Sequence, residues 1–152
     1  MKRAMICSLM LSIFVCQANA QSAYCAKVGN DDNVKPIPEA LVPEAVRLFK
    51  LSDESIEEVQ ESTTFRCMSG KVWLCNYGAN LPCGGKANVS RISKGAIDYC
   101  KEFPGSDIVP MAATGHDTIY TWECVGKKPH IVSSTKVDSR GFEADIWKQL
   151  EQ

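Results

Sequence analysis

The residue pair best suited to catalysis is His116 with Asp117, which follow Gly115. A histidine titrates near neutral pH and a neighbouring carboxylate can orient its ring, so this pair has the chemistry of a general base. Residues adjacent in sequence seldom point the same way, however, and the pair stands directly before a segment of strand composition. The competing interpretation is a turn in which Asp117 accepts hydrogen bonds from nearby backbone N–H groups.

Other catalytic arrangements find less support. A serine nucleophile of the hydrolase type needs a Gly-x-Ser-x-Gly turn, and neither Ser69-Gly70 nor Gly105-Ser106 has that pattern. A pair of carboxylates for glycoside hydrolysis stays open. Four acidic residues are available for such a pair, although nothing singles two of them out: Glu102, Asp107, Asp117 and Glu123.

Two further residues are candidates for binding, Asn80 and Tyr120. Asn80 lies in the loop-like stretch 76–85, and loops commonly carry binding residues. Tyr120 belongs to a set of aromatic residues that form either a binding face or part of the core: Trp73, Tyr77, Tyr120, Trp122 and Trp147. The candidate binding residues are therefore His116, Asp117, Asn80 and Tyr120.

Residues 1–20 have the segment order of a cleavable signal peptide. Lys2-Arg3 is followed by an apolar run of about a dozen residues and then by Ala18-Asn19-Ala20, whose small residues fit a signal-peptidase site. The run is shorter than the roughly 20 residues that span a bilayer. We therefore predict cleavage after Ala20.

Export defines the compartment and the charge of the remaining domain, residues 21–152. We expect it in the periplasm or secreted, with no stable membrane anchor, and Val15 is too large for the lipoprotein alternative acylated at Cys16. The chain has a formal net charge of −1, and loss of the two basic residues of the signal lowers it to −3. Without a basic stripe, nucleic acid is not an expected partner.

Six cysteines remain after the signal: Cys25, Cys67, Cys75, Cys83, Cys100 and Cys124. An even number in an exported chain predicts three disulfides. Structural zinc sites usually contain cysteine pairs two to four residues apart, whereas the gaps here are 42, 8, 8, 17 and 24 positions. Neither a metal nor an unpaired, reactive thiol is therefore expected.

Strand geometry limits how these cysteines pair. Residues 65–68 and 71–75 are predicted to form a hairpin around Ser69-Gly70. With a two-residue turn, Cys67 faces Val72 and Cys75 faces Thr64, on opposite faces of the hairpin. With a three-residue turn the two cysteines share a face but lie opposite Trp73 and Phe65. Neither register brings the sulfurs within bonding reach, so Cys67 and Cys75 are not partners.

The favoured first pairing is Cys83–Cys100. Two options then remain for the other four cysteines, and Cys67–Cys124 with Cys25–Cys75 is preferred to Cys25–Cys67 with Cys75–Cys124. The pairing Cys67–Cys124 is also favoured by a similarity between the two segments, since both cysteines follow an aromatic and a charged residue and precede a glycine and a lysine.

The remaining elements are predicted from periodicity and capping residues. Residues 21–36 are expected to form an extended arm held by Cys25. Short helices are predicted over 43–51 and from Ser93 to Glu102, with Ser52-Asp53 capping an acidic turn between them. Strands are predicted over the segments 108–112, 118–124 and 131–132. The tail, 142–150, fits either element, and a strand is favoured.

Three segments resemble a family of small exported six-cysteine proteins of Gram-negative bacteria. They are Phe65 to Val72, the stretch Gly78-Ala79-Asn80-Leu81-Pro82-Cys83, and Thr114 to Cys124 with its sequence TGHDTIYxWxC; the tail Asp138-x-x-Gly141-Phe142 fits too. The resemblance spans roughly residues 65–147. It implies a periplasmic location, no established activity and no catalytic residue. The aromatic-x-Cys-x-x-Gly fragment is also similar to one found in bacterial lysozyme inhibitors.

Together these observations predict an α+β domain with a small antiparallel β-sheet, one or two short helices and three disulfides. The expected function is that of a periplasmic protein that binds or inhibits a partner, which would be another envelope or secreted protein. The alternative is a small hydrolase that uses His116 and Asp117 or a carboxylate pair. A non-enzymatic role is favoured over an enzymatic one, and no cofactor is expected.

Overall fold

The computed structural model describes residues 11–77 and 83–151, with side chains from Ala20 onward. Helices combine with antiparallel strands and three disulfides, so the predicted α+β class is confirmed. The chain divides into two compact units, residues 1–76 with 148–152, and residues 77–147.

The first unit contains three helices and a four-stranded antiparallel sheet. The strands lie in the order Asp31–Pro36 (β1), Thr63–Met68 (β2), Lys71–Asn76 (β3) and Lys148–Gln149 (β6). A 3-10 turn, Glu39–Leu41, precedes the second helix. The elements are α1 (Leu11–Val28), β1 (Asp31–Pro36), α2 (Val42–Phe49), α3 (Ile56–Ser62), β2 (Thr63–Met68), β3 (Lys71–Asn76) and β6 (Lys148–Gln149).

The β2–β3 hairpin has the predicted two-residue turn. Ser69 and Gly70 both adopt positive φ, 53° and 74°, which is the conformation that a tight turn between twisted strands requires. Cys67 accordingly pairs with Val72, and Thr64 with Cys75. The predicted register is confirmed, and with it the inference that Cys67 and Cys75 do not bond to each other.

The core of the first unit lies between this sheet and the helices. Its buried residues come from α1, α2, α3 and the sheet, and they include Leu41, Ala45, Val59, Phe65 and Leu74. The predicted helix over 43–51 is confirmed with slightly earlier bounds. Ser55, rather than Ser52, begins α3, because its hydroxyl accepts the Glu58 N–H while the Glu58 carboxylate accepts the Ser55 N–H.

The extended arm predicted over residues 21–36 is wrong in its first half. Helix α1 continues to Val28, and it ends where Gly29, at a φ of 72°, donates its N–H to the Cys25 carbonyl. Turn-forming residues after Gly29 led to the arm interpretation, whereas the alanines before it favour helix. The second half is extended as expected, and forms strand β1.

The second unit consists of two helices and a two-stranded sheet. Its elements are α4 (Lys94–Glu102), α5 (Met111–Thr114), β4 (Tyr120–Val125) and β5 (Lys128–Ser134), followed by a 3-10 turn, Ala144–Ile146. Helix α4 begins as predicted, since the Ser93 side chain accepts the Ala96 N–H. The strand predicted over 118–124 is confirmed as β4.

Helix α4 approaches α5 closely at Gly95. A Cβ at this position would lie 1.7 Å from the carbonyl oxygen of Ala113 and 2.7 Å from its carbonyl carbon. Only glycine therefore permits this packing. The inner face of α4 covers a small core that includes Ala96, Cys100, Val109 and Trp122.

Two predicted strands of the second half need correction. Residues 108–112 do not form a strand, because Pro110 starts the short helix α5. Val109 nevertheless donates its N–H to the Trp122 carbonyl, so this segment runs along the edge of β4. The tail, 142–150, is a strand only at β6, after the 3-10 turn.

All three predicted disulfide pairings, Cys25–Cys75, Cys67–Cys124 and Cys83–Cys100, are wrong. Cys25 bonds to Cys67, and Cys100 bonds to Cys124. Cys75 and Cys83 are also disulfide-bonded. The predictions assumed that Cys25 lay in an arm; it lies in α1, where it is buried in the core together with Cys67. Cys100 lies on the buried face of α4 that covers β4, so Cys124 is within its reach.

Within the described residues, no helix has both the length and the apolar character needed to cross a membrane.

Candidate functional site

The most distinctive surface feature is a loop in the second unit, which we call the 88–92 loop. All five of its residues, Asn88 to Ile92, are exposed. Its first residue is fixed on both sides, because the Asn88 N–H donates to the Asp117 carbonyl at 2.6 Å and the Asn88 carbonyl accepts the Ile119 N–H at 3.1 Å. Its far end meets Ser93, the N-cap of α4. The loop therefore projects between two fixed ends.

Hydrogen bonds within the loop brace its backbone. Asn88 Oδ1 accepts the Ser90 N–H at 2.9 Å. Ser90 Oγ accepts the Ile92 N–H at 3.2 Å and donates to the Ile92 carbonyl at 2.9 Å. Short polar side chains that bond to the backbone two residues on are typical of tight turns. The loop thus contains two consecutive turns over its five residues.

Tyr120, a candidate from the sequence, supports this loop from the start of β4. Its hydroxyl donates to the Val89 carbonyl at 3.3 Å. The Arg91 guanidinium lies 5.6 Å from the centre of its ring, within the range of a cation–π contact. The ring also packs edge-on against Trp122, with centroids 5.9 Å apart. Tyr120 therefore joins the loop to the core of the second unit.

The loop exposes apolar side chains that folding does not account for. Ile92 is 78% exposed and Val89 is 54% exposed. Ile92 precedes the N-cap of α4, a position from which an apolar residue often packs against the helix four residues in, which here is Ile97. The high exposure of Ile92 shows that such a contact is at most slight. Two exposed apolar residues beside an arginine, on a loop whose ends are fixed, can together anchor a protein–protein contact.

A second strand-like contact supports the loop from the side opposite Asp117. Ala87 donates its N–H to the Gly141 carbonyl at 2.9 Å. Gly141 ends a tight turn in which Asp138 Oδ1 accepts the N–H groups of Arg140 and Phe142, at 2.8 and 3.1 Å. The chain entering the loop is therefore hydrogen-bonded both to Asp117 and to Gly141.

His116 and Asp117 do not form the arrangement that a hydrolase requires. Both residues are exposed, and Asp117 contributes its backbone carbonyl to the loop. No hydrogen bond joins the His116 ring to any residue within the described ranges. Within the described ranges no nearby backbone N–H donates to the Asp117 carboxylate either, so the structure shows neither the general-base arrangement nor the predicted cap. Asn80, the fourth candidate, lies outside the described residues.

The sequence analysis missed a histidine–carboxylate pair elsewhere in the second unit. His130 Nδ1 lies 3.1 Å from Glu123 Oε1, across the β4–β5 ladder, in which the two residues are directly paired. Only the strand register brings them together, since they are seven positions apart in sequence. Both side chains are open to solvent, so the pair resembles an ordinary cross-strand contact.

In one polar cluster of the first unit, hydrogen bonds shift the pKa values of Asp31 and Lys35. Tyr24 and Lys35 both donate to Asp31 Oδ2, each at 2.6 Å, and Lys35 also donates to the Tyr24 hydroxyl at 2.9 Å. The hydrogen bonds from Lys35 and Tyr24 hold the pKa of Asp31 far below its usual range. The Asp31 carboxylate in turn raises the pKa of Lys35. Both groups therefore stay charged near neutral pH, and the cluster fastens the end of α1 to β1.

The acidic residues around α3 line a shallow surface depression, formed by Glu54, Glu58, Glu61 and Ser62. The Glu58 carboxylate is already engaged in the helix cap. Within the described part of the chain, no group of three or more histidine, cysteine, aspartate or glutamate side chains is placed to hold a metal ion. The depression is therefore best described as a solvated helix face.

No known family model, curated protein or solved structure matches the chain.

Proposed function

We propose that the chain is an exported binding protein that attaches to another protein through the 88–92 loop, without catalysing a reaction itself. One observation carries the proposal: Val89 and Ile92 are exposed on a loop whose two ends are fixed. Binding is less costly when the contact surface is ordered beforehand, because less conformational entropy is lost on association. Apolar anchors on such a surface supply most of the affinity in protein interfaces.

Export is part of the same proposal, with cleavage after Ala20 and a periplasmic or secreted destination. Three disulfides support it, because such bonds persist in oxidising compartments. The mature chain would begin at Gln21, within α1. The rest of that helix would stay attached after cleavage, since Cys25 bonds to Cys67 and Tyr24 bonds to Asp31.

The location is tested by fractionating the source cells and measuring the intact mass of the protein. A periplasmic or extracellular species that starts at Gln21 is expected. A cytoplasmic species that retains residues 1–20 would contradict export, whatever the result of the binding test.

The binding surface is tested by comparing two charge-introducing variants as bait in an extract of the same compartment. Ile92→Asp alters the loop, whereas Val132→Asp alters another exposed apolar site on β5, where Val132 is 55% exposed. We expect a partner that the wild type and Val132→Asp retain and that Ile92→Asp loses. Circular dichroism of both variants checks that they are folded. Equal retention by all three baits would contradict a contact through this loop.

A further inference from the structure

We propose that the 88–92 loop is a substrate-like inhibitory loop that enters the active-site cleft of an arginine-directed endopeptidase, with Arg91 in the specificity pocket. This inference rests on the proposed binding function and names the class of partner for the same site.

Arg91 lies in the exposed part of the loop and meets the first requirement of such an inhibitor, an accessible peptide bond after a suitable side chain. Arg91 and Ile92 are both exposed, as are the residues before them. Among the described residues, nothing donates a hydrogen bond to the Arg91 carbonyl, so this group is available to the oxyanion donors of a peptidase. A guanidinium is the group that a carboxylate at the base of a specificity pocket recognises best.

The loop bonds hold that peptide bond in place. The Ser90 hydroxyl engages both the N–H and the carbonyl of Ile92, so the residues on either side of Arg91 are tied together. Tyr120 supports the loop beneath them through the hydrogen bond from its hydroxyl to the Val89 carbonyl, which stays in place when the Arg91 side chain turns into the pocket. A good substrate must adapt to a cleft and then leave it. A braced loop binds with little loss of entropy and resists the distortion that cleavage requires.

The fold would also retain both ends if the bond were cut. Hydrolysis between Arg91 and Ile92 consumes one water molecule and leaves a carboxylate on the first residue and an amine on the second. The upstream end would stay paired with Asp117 and Ile119 through Asn88. The downstream end would stay on α4, which Cys100 joins to Cys124 on β4. The new carboxylate and the new amine would thus both stay attached to the segment 117–124. Their high effective concentration favours re-formation of the peptide bond over release of the two ends.

Bovine trypsin serves as the probe peptidase, with a chromogenic arginine substrate as the readout. We expect the wild type to inhibit trypsin competitively. Arg91→Ala should raise the inhibition constant by about 100-fold or more, because the loss of a central charged anchor has effects of that order. Arg91→Lys should restore inhibition to within about tenfold of the wild type, since lysine keeps the charge that the pocket reads. Lys128→Ala, at an exposed residue of β5, is the matched control and should have no effect.

Tyr120→Phe tests the bracing separately from the contact. It keeps the ring under Arg91 but removes the hydroxyl that donates to Val89. We expect faster cleavage of the loop by trypsin, measured as the fraction nicked after Arg91, with a smaller change in initial affinity. Equal cleavage rates for Tyr120→Phe and the wild type would contradict the bracing.

Lack of trypsin inhibition by the wild type would overturn the inference, and so would rapid cleavage after Arg91 with release of inhibition. Either result, combined with a partner captured by the wild type and lost by Ile92→Asp, would leave the binding function standing with a different occupant. That occupant would be a protein with an apolar pocket for Ile92. Absence of both inhibition and loop-dependent capture would refute the inference and the proposed function together.

Discussion

The contact between α4 and α5 gives the sharpest stability prediction, at Gly95. A Cβ there would lie 1.7 Å from the Ala113 carbonyl oxygen, whereas an ordinary contact begins at 3.4 Å. The two segments would have to separate by about 1.7 Å to accept a methyl group. The obstructing atoms belong to the backbone, so no side-chain rotation can relieve the clash. Separating α4 from α5 would also disturb the packing of the core beneath α4, which includes Cys100 and Trp122.

Two effects of opposite sign decide how much the Gly95→Ala substitution changes the free energy of unfolding. Alanine favours a helix interior by about 1 kcal/mol relative to glycine, and Gly95, the second residue of α4, gains less than this. Overpacking a tight contact costs about 1–3 kcal/mol, and a clash with backbone belongs at or above the upper end of that range. We therefore expect a net destabilisation of about 2 kcal/mol, in the direction opposite to helix propensity.

Urea unfolding of the oxidised protein, followed by tryptophan fluorescence, measures this change. Trp122 is only 3% exposed and reports on the affected core. Gly85→Ala is the matched control, because a Cβ at Gly85 meets nothing within 4 Å. It should alter the unfolding free energy by less than about 0.5 kcal/mol. A Gly95→Ala variant as stable as the wild type, or more stable, would refute the close approach of α4 and α5.

Three further predictions concern the covalent and polar framework. The pKa of Asp31 is lower in the folded chain than in the unfolded chain. Its contribution to stability is therefore complete above the unfolded pKa of about 4, and it is lost as the pH falls through the folded pKa. When the free energy of unfolding is measured against pH, the Asp31→Asn variant should be less stable than the wild type at pH 7 and equally stable at low pH. Ser55→Ala should cost about 1 kcal/mol in urea unfolding by removing the α3 cap, and Ser55→Asp should recover most of it. Replacing Cys100 and Cys124 with serine should cost about 3 kcal/mol, from the sequence separation of 24, and unchanged thermal unfolding would contradict this estimate.

Local signals in the sequence were sufficient for helices α2 and α4 and for the β2–β3 hairpin, but not for α1 and α5. Ser93 has a side chain that caps the next turn, and Ser69-Gly70 fits a two-residue turn, so their consequences depend on a few neighbouring residues. Turn geometry then fixed which cysteines could not pair, through the alternation of side chains along a strand. These inferences needed no knowledge of the tertiary structure.

The disulfide partners and the loop depended on contacts distant in sequence. Cys25 lies 42 positions from Cys67, and its pairing requires α1 to continue past the predicted cleavage site and pack against the sheet. The 88–92 loop had no motif beyond the triplet Asn88-Val89-Ser90, which has the form of a glycosylation acceptor. Its fixed ends arise from backbone pairing with Asp117 and Ile119, which side-chain types do not reveal.

The strand ends that contain Cys67 and Cys124 are similar in sequence, but these two cysteines do not bond to each other as predicted. In each unit a helix cysteine bonds to a cysteine on the first strand of a hairpin, as Cys25 with Cys67 and Cys100 with Cys124. The first hairpin extends into a four-stranded sheet, while the second stays two-stranded. Just before β4, Ile119 accepts the Thr135 N–H beyond the end of β5 and donates its own N–H to the Asn88 carbonyl. Asn88 thus pairs with the side of this chain that β5 leaves open, and this pairing fixes the start of the 88–92 loop.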